Sequence, residues 1–380
     1  MTVPLSILDL APISSGSDAG QALRNTVDLA QRAERFGYHR YWVAEHHFAD
    51  GVASAAPAVL IGLILAATDR IRVGSGAVQV GHQTALSVVE SFGLLDAVHP
   101  GRLDLGLGRS GQRRAEAVAA LGAPRPAPRT EPLTVDGLLL PPPFDFARIV
   151  ASPRWAAYAA LLQQPEAVSP DFADVVDDIR ALIAGTYARD GVDVHATPGE
   201  GAKVELWILG SSAGQSATVA GERGLPFAAN YHVSPATVLE AVEAYRAAFR
   251  PSEVLDRPYV LVSADVVVAP TAQEARHLSS GYGLWVHSIR TGRGAIPFPT
   301  PAEAAAAPWT AEDQALVKDR LDTRFVGTPA EVADRLRTLQ RVTAADELLV
   351  TTITHDHTDR VRSFALLADE WRGDVPVGPA

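Results

Sequence analysis

The stretch Tyr41-Trp42-Val43-Ala44-Glu45-His46-His47-Phe48 is the one around which the rest of the chain is organised. Its apolar first half predicts a short buried strand over residues 40–43. That strand runs directly into a carboxylate and two adjacent imidazoles, and parallel α/β folds place their active sites at the C-terminal ends of their strands. We therefore expect Glu45, His46 and His47 to contribute to catalysis or ligand binding.

The electrostatic surroundings of the two histidines support this expectation. Burial lowers the pKa of a histidine, whereas the neighbouring Glu45 charge raises it, so at least one imidazole is suited to proton transfer near neutral pH. A paired histidine in a loop can also serve only to hydrogen-bond backbone, and the octet alone leaves both interpretations open.

Outward from this stretch, strands and helices alternate four times in the first 110 residues. Alternation of this kind predicts parallel strands joined by right-handed crossovers. Further strands are predicted later in the chain, which brings the total to eight, and no shift in composition marks a domain boundary. The predicted strands begin near residues 5, 40, 71, 103, 206, 225, 260 and 348, and the third extends over 71–80. A helix is predicted over 271–289 and a loose segment over 292–308, and Thr328 is predicted to cap a helix that has Pro329 at its first position. We therefore predict a single (β/α)8 TIM barrel domain over residues 1–380, although the pattern also allows an open, doubly wound sheet.

A proline-rich segment interrupts this regularity. Ten of the 27 prolines lie between positions 121 and 170, and three of them are consecutive at Pro141-Pro142-Pro143. Proline breaks both helices and central strands, so this segment is a long insertion, at about residues 122–203. Insertions of this length are often lids or pocket walls. An oligomer contact or variable surface is the alternative.

Composition excludes several classes of function. The 380-residue chain has a net charge of −11 and no cysteine, so we expect no nucleic-acid partner, no disulfide and no thiolate metal site. His355-Asp356-His357 lacks a third partner at metal spacing, and we predict no metal. The longest apolar run, at residues 55–67, is too short to span a bilayer, and no signal peptide is evident. We expect a cytoplasmic protein without membrane contact.

A turn of small residues precedes a predicted helix at 213–223 and is a candidate phosphate site. Small side chains let backbone N–H groups approach an anion, hydroxyl groups add donors, and the helix dipole favours negative charge. An ordinary serine helix cap is the alternative. The residues concerned are Ser211, Ser212, Ala213, Gly214 and Ser216.

Two other glycine-containing stretches lie at strand ends. Gly106-Leu107-Gly108-Arg109-Ser110-Gly111 matches the dinucleotide-binding pattern, but it follows the fourth strand, and prolines interrupt the next crossover. We instead expect the Arg109 guanidinium to face a phosphate or an electron-rich ring. Gly74 and Gly76 lie in the third strand, where glycine indicates either a flat ligand against the strand or close packing.

Taken together, these positions resemble the bacterial luciferase-like monooxygenases, which are flavin-dependent (β/α)8 barrels. The resemblance lies in the order and spacing of segments such as Phe36-Gly37, Glu45-His46-His47-Phe48 and Gly106-Leu107-Gly108-Arg109. The matching regions are residues 30–48, 71–82, 94–110, 206–228 and 325–371. The resemblance implies that reduced FMN binds at the C-terminal mouth of the barrel and reacts with O2.

The resemblance also implies roles for individual residues. His46 matches the histidine that acts as a base near the flavin, and Arg109 matches an arginine that contacts the flavin phosphate. The turn from Ser211 to Ser216 matches a second phosphate-binding segment. Gly76-Ala77 falls where the family has a non-prolyl cis peptide against the isoalloxazine. One departure is the glycine before Arg109, because luciferases can carry a reactive cysteine there.

The activity implied by the resemblance is that of a two-component monooxygenase. A separate flavin reductase would supply FMNH2, and a C4a-hydroperoxyflavin would oxygenate a small organic, partly apolar substrate. The resemblance further suggests a homodimer. Three alternatives stay open: a deazaflavin-dependent hydride-transfer enzyme of the same superfamily, a non-catalytic flavin-binding protein, and a barrel lyase or isomerase acting on a phosphorylated substrate.

Overall fold

Eight parallel strands close into a barrel in this computed structural model, which describes residues 2–109, 129–145, 149, 153–164 and 166–373. The eight strands are β1 (Leu5–Asp9), β2 (Arg40–Val43), β3 (Arg72–Ser75), β5 (Leu103–Gly108), β10 (Glu205–Gly210), β11 (Phe227–Asn230), β12 (Val260–Val268) and β14 (Glu347–Thr351). They begin at or near the eight predicted positions, so the prediction of a (β/α)8 barrel is confirmed. The barrel order is β1-β2-β3-β5-β10-β11-β12-β14, and β14 pairs with β1 to complete the ring. A short strand, β13 (Phe325–Gly327), pairs with β12 outside the ring.

Helices surround the barrel, and each barrel strand is covered by side chains on both faces. Burial on both sides explains why the strand sequences are continuous apolar runs rather than alternating patterns. The helices are α1 (Ala19–Arg35), α2 (Pro57–Leu65), α3 (Ala85–Val98), α4 (Pro153–Leu161), α5 (Phe172–Ala184), α6 (Gln215–Glu222), α7 (Val238–Ala248), α8 (Ala272–Leu278), α9 (Tyr282–Arg290), α10 (Pro301–Ala306), α11 (Ala311–Asp322), α12 (Pro329–Thr343) and α13 (His357–Gly373). Among the described residues, no helix combines the length and the apolarity that a membrane crossing requires.

Helix starts follow the predicted chemistry where a side chain caps the first turn. Thr328 forms a capping box with Glu331 at the start of α12, and Pro329 occupies the first turn. A threonine or aspartate side chain also caps α1 and α3. Each cap satisfies a backbone N–H that the helix itself leaves unpaired, so these positions fix where the chain enters the helix.

A cluster of buried charges closes the N-terminal end of the barrel. Arg40 Nε lies 3.0 Å from Glu347 Oε1, and Arg40 Nη1 lies 2.9 Å from Asp104 Oδ2. Trp42 donates its indole N–H to the same Asp104 carboxylate at 2.8 Å. On the C-terminal side of this charged layer, the barrel interior is apolar and includes Trp207. This apolar layer forms the floor of the open end of the barrel.

Several predicted elements differ in detail. The third strand, predicted over residues 71–80, is broken into β3 and β4 (Val78–Gln79), because the chain turns at the cis peptide between Gly76 and Ala77. The helix predicted over 271–289 is two helices, α8 and α9. They part at Gly281, where a Cβ would lie 2.6 Å from the Pro299 carbonyl oxygen. Helix α10 occupies part of a segment predicted to be loose, and α11 was not predicted.

The proline-rich region between β5 and β10 contains short elements rather than a featureless loop. Two hairpins, β6–β7 (Leu133–Val135 and Leu138–Leu140) and β8–β9 (Ala188–Arg189 and Val192–Asp193), flank helices α4 and α5. Helix α5 packs against α3 and α6 in the outer layer. Residues 110–128 lie outside the described part, so the boundaries of the insertion stay a prediction.

Candidate active site

Two adjoining cavities lie at the C-terminal end of the barrel. The first has a volume of about 390 Å³ and is lined by the ends of β4, β5, β10 and β11. The second, of about 550 Å³, opens among the barrel strands. Gly76, Leu209 and Asn230 line both cavities, so a single ligand can extend from one into the other. This is the position at which barrel folds place their active sites.

The first cavity collects nearly all of the predicted cofactor-binding residues. Its lining includes Gly76, Ala77, Arg109, Ser211, Ser212, Gly214 and Ser216, whereas Ala213 is not part of it. A Cβ built on Gly214 would lie 3.4 Å from Ser212 Oγ and 3.9 Å from Arg109 Nη1. The guanidinium therefore lies close to the serine turn, and together they present cationic and hydroxyl donors to one space.

The start of helix α6 differs from the ordinary serine cap considered above. Gly214 occupies the N-cap position, and no side chain caps the helix. Ser216 is in the first turn and lines the cavity. An uncapped helix N-terminus with small neighbours leaves its positive end accessible to an anion. The turn therefore suits phosphate binding better than the alternative role, in which a serine only caps the helix.

The glycines of β3 and β5 have a packing explanation. A Cβ on Gly74 would lie 2.4 Å from the Asp104 carbonyl oxygen, and one on Gly106 would lie 2.1 Å from the Ser75 carbonyl oxygen. At Gly76 a Cβ would meet Leu8 Cδ1 at 2.9 Å. The Gly76–Ala77 peptide bond is cis, the conformation that the resemblance implied. Close strand packing explains these glycines without a ligand.

The second cavity is mostly apolar, with a small set of polar side chains. Its walls include Leu8, Val52, Leu261 and Ile353. The polar side chains in the lining include His46, His47, His232, Ser263, Asp265 and Arg320. An apolar pocket with few, convergent polar groups is typical of a small-molecule site.

His46 is an exposed residue by surface area, and it lines the second cavity. Desolvation by the protein atoms around it lowers the pKa of His46, the positive charge of a protonated His47 lowers it further, and Glu45 partly offsets the effect. A histidine whose pKa lies below its usual value is neutral at neutral pH and is ready to accept a proton.

Glu45 lies behind the cavity wall and holds its neighbour in place. Its Oε1 is 2.8 Å from His47 Nε2, and its Oε2 accepts a hydrogen bond of 2.9 Å from the Gln79 backbone N–H. Because a carboxylate only accepts, the ring nitrogen that donates this bond is Nε2, and in the neutral ring Nδ1 is left as the acceptor. The structure therefore gives Glu45, predicted as catalytic, the geometry of a positioning residue.

We predicted no metal, but one cluster among the described residues has a geometry that could hold an ion. One atom each from Glu45, His47 and His82 lies within 4.8 Å of the other two, close enough to hold an ion. Hydrogen bonds already engage all three side chains, because His47 bonds Glu45 and His82 Nε2 lies 3.1 Å from Gln79 Oε1. These bonds explain the cluster without a metal.

Two residues outside the predicted set belong to this site. His232 Nδ1 lies 2.6 Å from Ser263 Oγ. Burial lowers the pKa of His232 to about 3, with smaller contributions from the Arg320 and His46 charges. His232 follows a predicted strand, which was a usable signal. Arg320 lies on α11, a helix that the sequence pattern did not indicate, so no signal pointed to it.

Part of the proline-rich region lies over this mouth. The rings of Phe48 and Tyr158 stack with centroids 4.3 Å apart, and Arg154 Nε donates to the Tyr158 hydroxyl at 2.8 Å. Gln163 Nε2 lies 3.4 Å from the Gly81 carbonyl oxygen. Helix α4 is therefore attached to the loop that carries His46 and His47.

Comparisons with known proteins agree with this architecture. The luciferase-like monooxygenase family model matches residues 3–133 and 149–346. A luciferase-like monooxygenase of Escherichia coli is 34% identical over 369 residues, which cover 97% of this chain and 97% of that protein. The N-acetyl-S-alkylcysteine monooxygenase of Bacillus subtilis is 50% identical over 108 residues, 28% of this chain and 32% of that protein.

Solved structures share the fold. Apo-MsnO8 has 30% sequence identity and a TM-score of 0.76, with 98% of both chains covered. The FMN complex of the oxygenating constituent of 3,6-diketocamphane monooxygenase, from Pseudomonas putida, has 16% identity, a TM-score of 0.61 and full coverage of both chains. An F420-dependent secondary alcohol dehydrogenase has 15% identity and a TM-score of 0.60, with 98% of this chain and 100% of that chain covered. The last two show only a common fold.

The resemblance found in the sequence is thus confirmed by matches that extend over most of the chain. Barrel order, cavity position and relatives all lead to one assignment. The chain belongs to the luciferase-like monooxygenase family.

Proposed function

We propose that the protein is a two-component monooxygenase that uses FMNH2 and O2 to oxygenate a small organic, partly apolar substrate. The observation that carries this proposal is the junction of the two cavities. A cleft with the donors for a phosphate opens, through shared walls at Gly76, Leu209 and Asn230, into an apolar cavity that contains a neutral imidazole. FMN has a phosphate at one end and a flat ring system at the other, and it fits such a junction.

The residues present fit the flavin. Arg109 and the turn at Ser211, Ser212 and Gly214 would hold its phosphate, with the uncapped end of α6 adding a favourable dipole. The cis peptide at Gly76–Ala77 would form the wall beside its ring. When bound, reduced FMN supplies the electrons that activate O2.

The chain's own contribution is to manage a proton and to exclude water. His46 is neutral at the pH of the cell and is positioned to accept a proton in the second cavity. Glu45 fixes the orientation of His47 beside it. The apolar walls keep water from reactive species, which protects the reaction from wasteful release of H2O2. Helix α4 would act as a lid through its stack on Phe48.

The partners follow from this chemistry. A separate flavin reductase would supply FMNH2, and the lack of cysteine together with this reduced cofactor fits the cytoplasm. The substrate would be a small molecule such as the thioether class named for the Bacillus subtilis relative. A second copy of the chain would cover α2 and α3, where Val59, Leu63, Leu94 and Val98 are each more than half exposed.

Two alternatives remain for the same cavities. An F420-dependent alcohol dehydrogenase has the same fold, so a deazaflavin enzyme that transfers hydride without O2 is the second candidate. A non-catalytic flavin-binding protein is the third. The deazaflavin enzyme requires binding of the deazaflavin in preference to FMN. The non-catalytic protein requires flavin binding without oxygen consumption.

The deciding experiment measures binding of FMN, FMNH2 and deazaflavin side by side, followed by oxygen uptake. We expect FMNH2 to bind and O2 to be consumed with a thioether substrate. His46→Ala should lower the oxygenation rate by about 10²–10⁴, the usual contribution of a general base, without weakening flavin binding. Arg109→Ala, in contrast, should weaken flavin binding. Activity without O2, or a His46→Ala variant with unchanged turnover, would contradict the proposal.

A further inference from the structure

Arg320 is a buried cation in the wall of the second cavity. It lies on α11, is only 8% exposed and lines the space occupied by His232 and Ser263. Its Nη2 donates to the Tyr282 hydroxyl at 2.6 Å, a neutral partner. Within the described parts of the chain, its Nε has no hydrogen-bond partner, and no carboxylate lies at ion-pair distance.

The other buried arginines are all neutralised. Of the five arginines that are buried in the described structure, four contact a carboxylate and only Arg320 does not. The four pairs are Arg40 with Glu347, Arg290 with Asp319, Arg324 with Asp265, and Arg360 with Asp9. Burying a charge without a counter-charge is costly, which is why proteins pair buried ions. The exception at Arg320 indicates that its counter-charge comes from a ligand.

The acidic residue in the same cavity lining does not meet this need. Asp265 also lines the cavity, but its carboxylate is 2.7 Å from Arg324 Nε, and Arg324 packs 3.7 Å from the Tyr282 ring centroid. The one carboxylate is therefore taken up by Arg324, and the charge of Arg320 is left as an excess positive charge at this wall of the cavity. The lowered pKa of His232, caused first by burial and then by the Arg320 charge, is consistent with that excess.

Two further side chains in the same lining have unused hydrogen-bonding capacity. Trp285 Nε1 and Thr351 Oγ1 have no hydrogen-bond partner among the residues that the structure describes. A guanidinium and an indole N–H only donate hydrogen bonds, and a hydroxyl can do so. A ligand group that accepts several hydrogen bonds and carries a negative charge would satisfy all three.

We propose that Arg320 binds a carboxylate of the substrate in the second cavity, with Trp285 and Thr351 as supporting donors. The proposal deepens the proposed function and rests on it, because it takes this cavity to be the substrate's. The substrate class is then a small organic acid whose apolar remainder packs on side chains such as Leu261 and Ile353. The planar guanidinium suits a carboxylate because it donates two parallel hydrogen bonds.

The test uses a pair of probes that differ only in charge, hexanoate and hexanamide, with the protein free of flavin. Their dissociation constants are measured by ligand-observed NMR. We expect hexanoate to bind at least about tenfold more tightly than hexanamide, which corresponds to about 1.4 kcal/mol.

In Arg320→Met this preference for hexanoate should vanish, and in Arg320→Lys, which keeps the charge, it should be partly retained. Arg362→Met, at an exposed arginine paired with Glu274, is the matched control and should keep the full preference.

Flavin titrations separate this inference from the function on which it rests. We expect Arg320→Met to bind FMN and FMNH2 within twofold of the wild type, because the phosphate donors lie in the other cavity. Equal binding of hexanoate and hexanamide by the wild type would overturn the inference, even if FMNH2 binds and O2 is consumed. A loss of FMNH2 affinity in Arg320→Met, with the probe preference unchanged, would overturn it too, since Arg320 would then serve the flavin ring. Failure of the wild type to bind any flavin would instead overturn the proposed function.

Discussion

Glu45 and His47 form a carboxylate–imidazole pair in which Oε1 lies 2.8 Å from Nε2, and the imidazole lines the second cavity. We expect Glu45→Gln, which keeps the shape and removes the charge, to lower the oxygenation rate by about 10-fold to 100-fold, the range known for carboxylates that orient metal-ligating histidines. The pKa of His46 should also fall further, because the Glu45 charge raises it.

Histidine NMR distinguishes this positioning role from damage to the fold. The wild type should show His47 protonated on Nε2, and Glu45→Gln should show a mixture of tautomers. Flavin affinity should not change in the variant, because Glu45 lies behind the cavity wall. If His47 keeps its tautomer and the rate is unchanged, the carboxylate does not orient it.

Gly214 offers a direct test of the phosphate cleft. A Cβ there would lie 3.4 Å from Ser212 Oγ, an ordinary contact, so Gly214→Ala should be tolerated. Gly214→Leu would extend into the space near Arg109 that we assign to the phosphate. We expect the leucine variant to bind FMN at least about tenfold more weakly, a loss of about 1.4 kcal/mol. Flavin fluorescence gives the affinity, and thermal unfolding checks that both variants fold. Wild-type affinity in the leucine variant would place the phosphate elsewhere.

The partly buried His232 predicts how stability depends on pH. Its pKa is lowered from 6.5 to about 3, so between these values the unfolded chain binds a proton that the native state does not. The free energy of unfolding should therefore fall as the pH falls below about 6.5, by at most about 1.4 kcal/mol per pH unit from this group. His232→Asn should flatten that dependence. Urea unfolding between pH 7 and pH 4.5 measures it.

The control for this experiment is His195, an exposed histidine whose pKa is raised by its hydrogen bond to Glu200. Its folded-state pKa is shifted in the opposite direction, so His195→Asn should not flatten the acid side of the profile. If His232→Asn unfolds with the same pH dependence as the wild type, His232 is not buried as a neutral side chain in solution.

The barrel could be predicted because its signals are local and repeated. Strands buried on both faces read as apolar runs, and glycine or proline marks most of the helix ends. The residues at the cavity mouth could be predicted for the same reason, since residues such as Glu45, Arg109 and Ser211 directly follow predicted strands. Parallel strands bring their C-terminal ends together, so sequence position alone predicts proximity.

Other features depend on contacts between distant segments and left no local pattern. Arg320 lies on a helix of low amphipathicity, and its missing counter-charge is visible only when the surrounding residues are known. The break at Gly281 follows from the approach of the Pro299 carbonyl. The role of Glu45 as a support for His47, rather than a cavity-facing group, also required the geometry.

The apolar surface of α2 and α3 predicts the oligomeric state. Leu63 and Val98 are more than half exposed on these neighbouring helices, and monomeric proteins rarely expose such contiguous apolar surface. We expect the wild type to be a homodimer by light scattering and the double variant Leu63→Glu, Val98→Glu to be monomeric, because charges would be buried at the contact. Val192→Glu, at an exposed valine of the β8–β9 hairpin, is the control and should remain dimeric. A monomeric wild type would contradict this.

The stack of Tyr158 on Phe48 predicts the behaviour of α4 as a lid. Aromatic pairs of this kind contribute about 0.5–1.5 kcal/mol, enough to shift a lid between closed and open states by several-fold. Tyr158→Ala should therefore speed tryptic cleavage after Arg154 and increase the share of O2 released as H2O2, because water reaches the cavity more often. Tyr158→Phe keeps the stack and loses only the hydrogen bond from Arg154, so it should behave much more like the wild type. Equal cleavage rates and equal H2O2 release in Tyr158→Ala and the wild type would show that α4 is a fixed wall, since the ring contact would then not control access to His46.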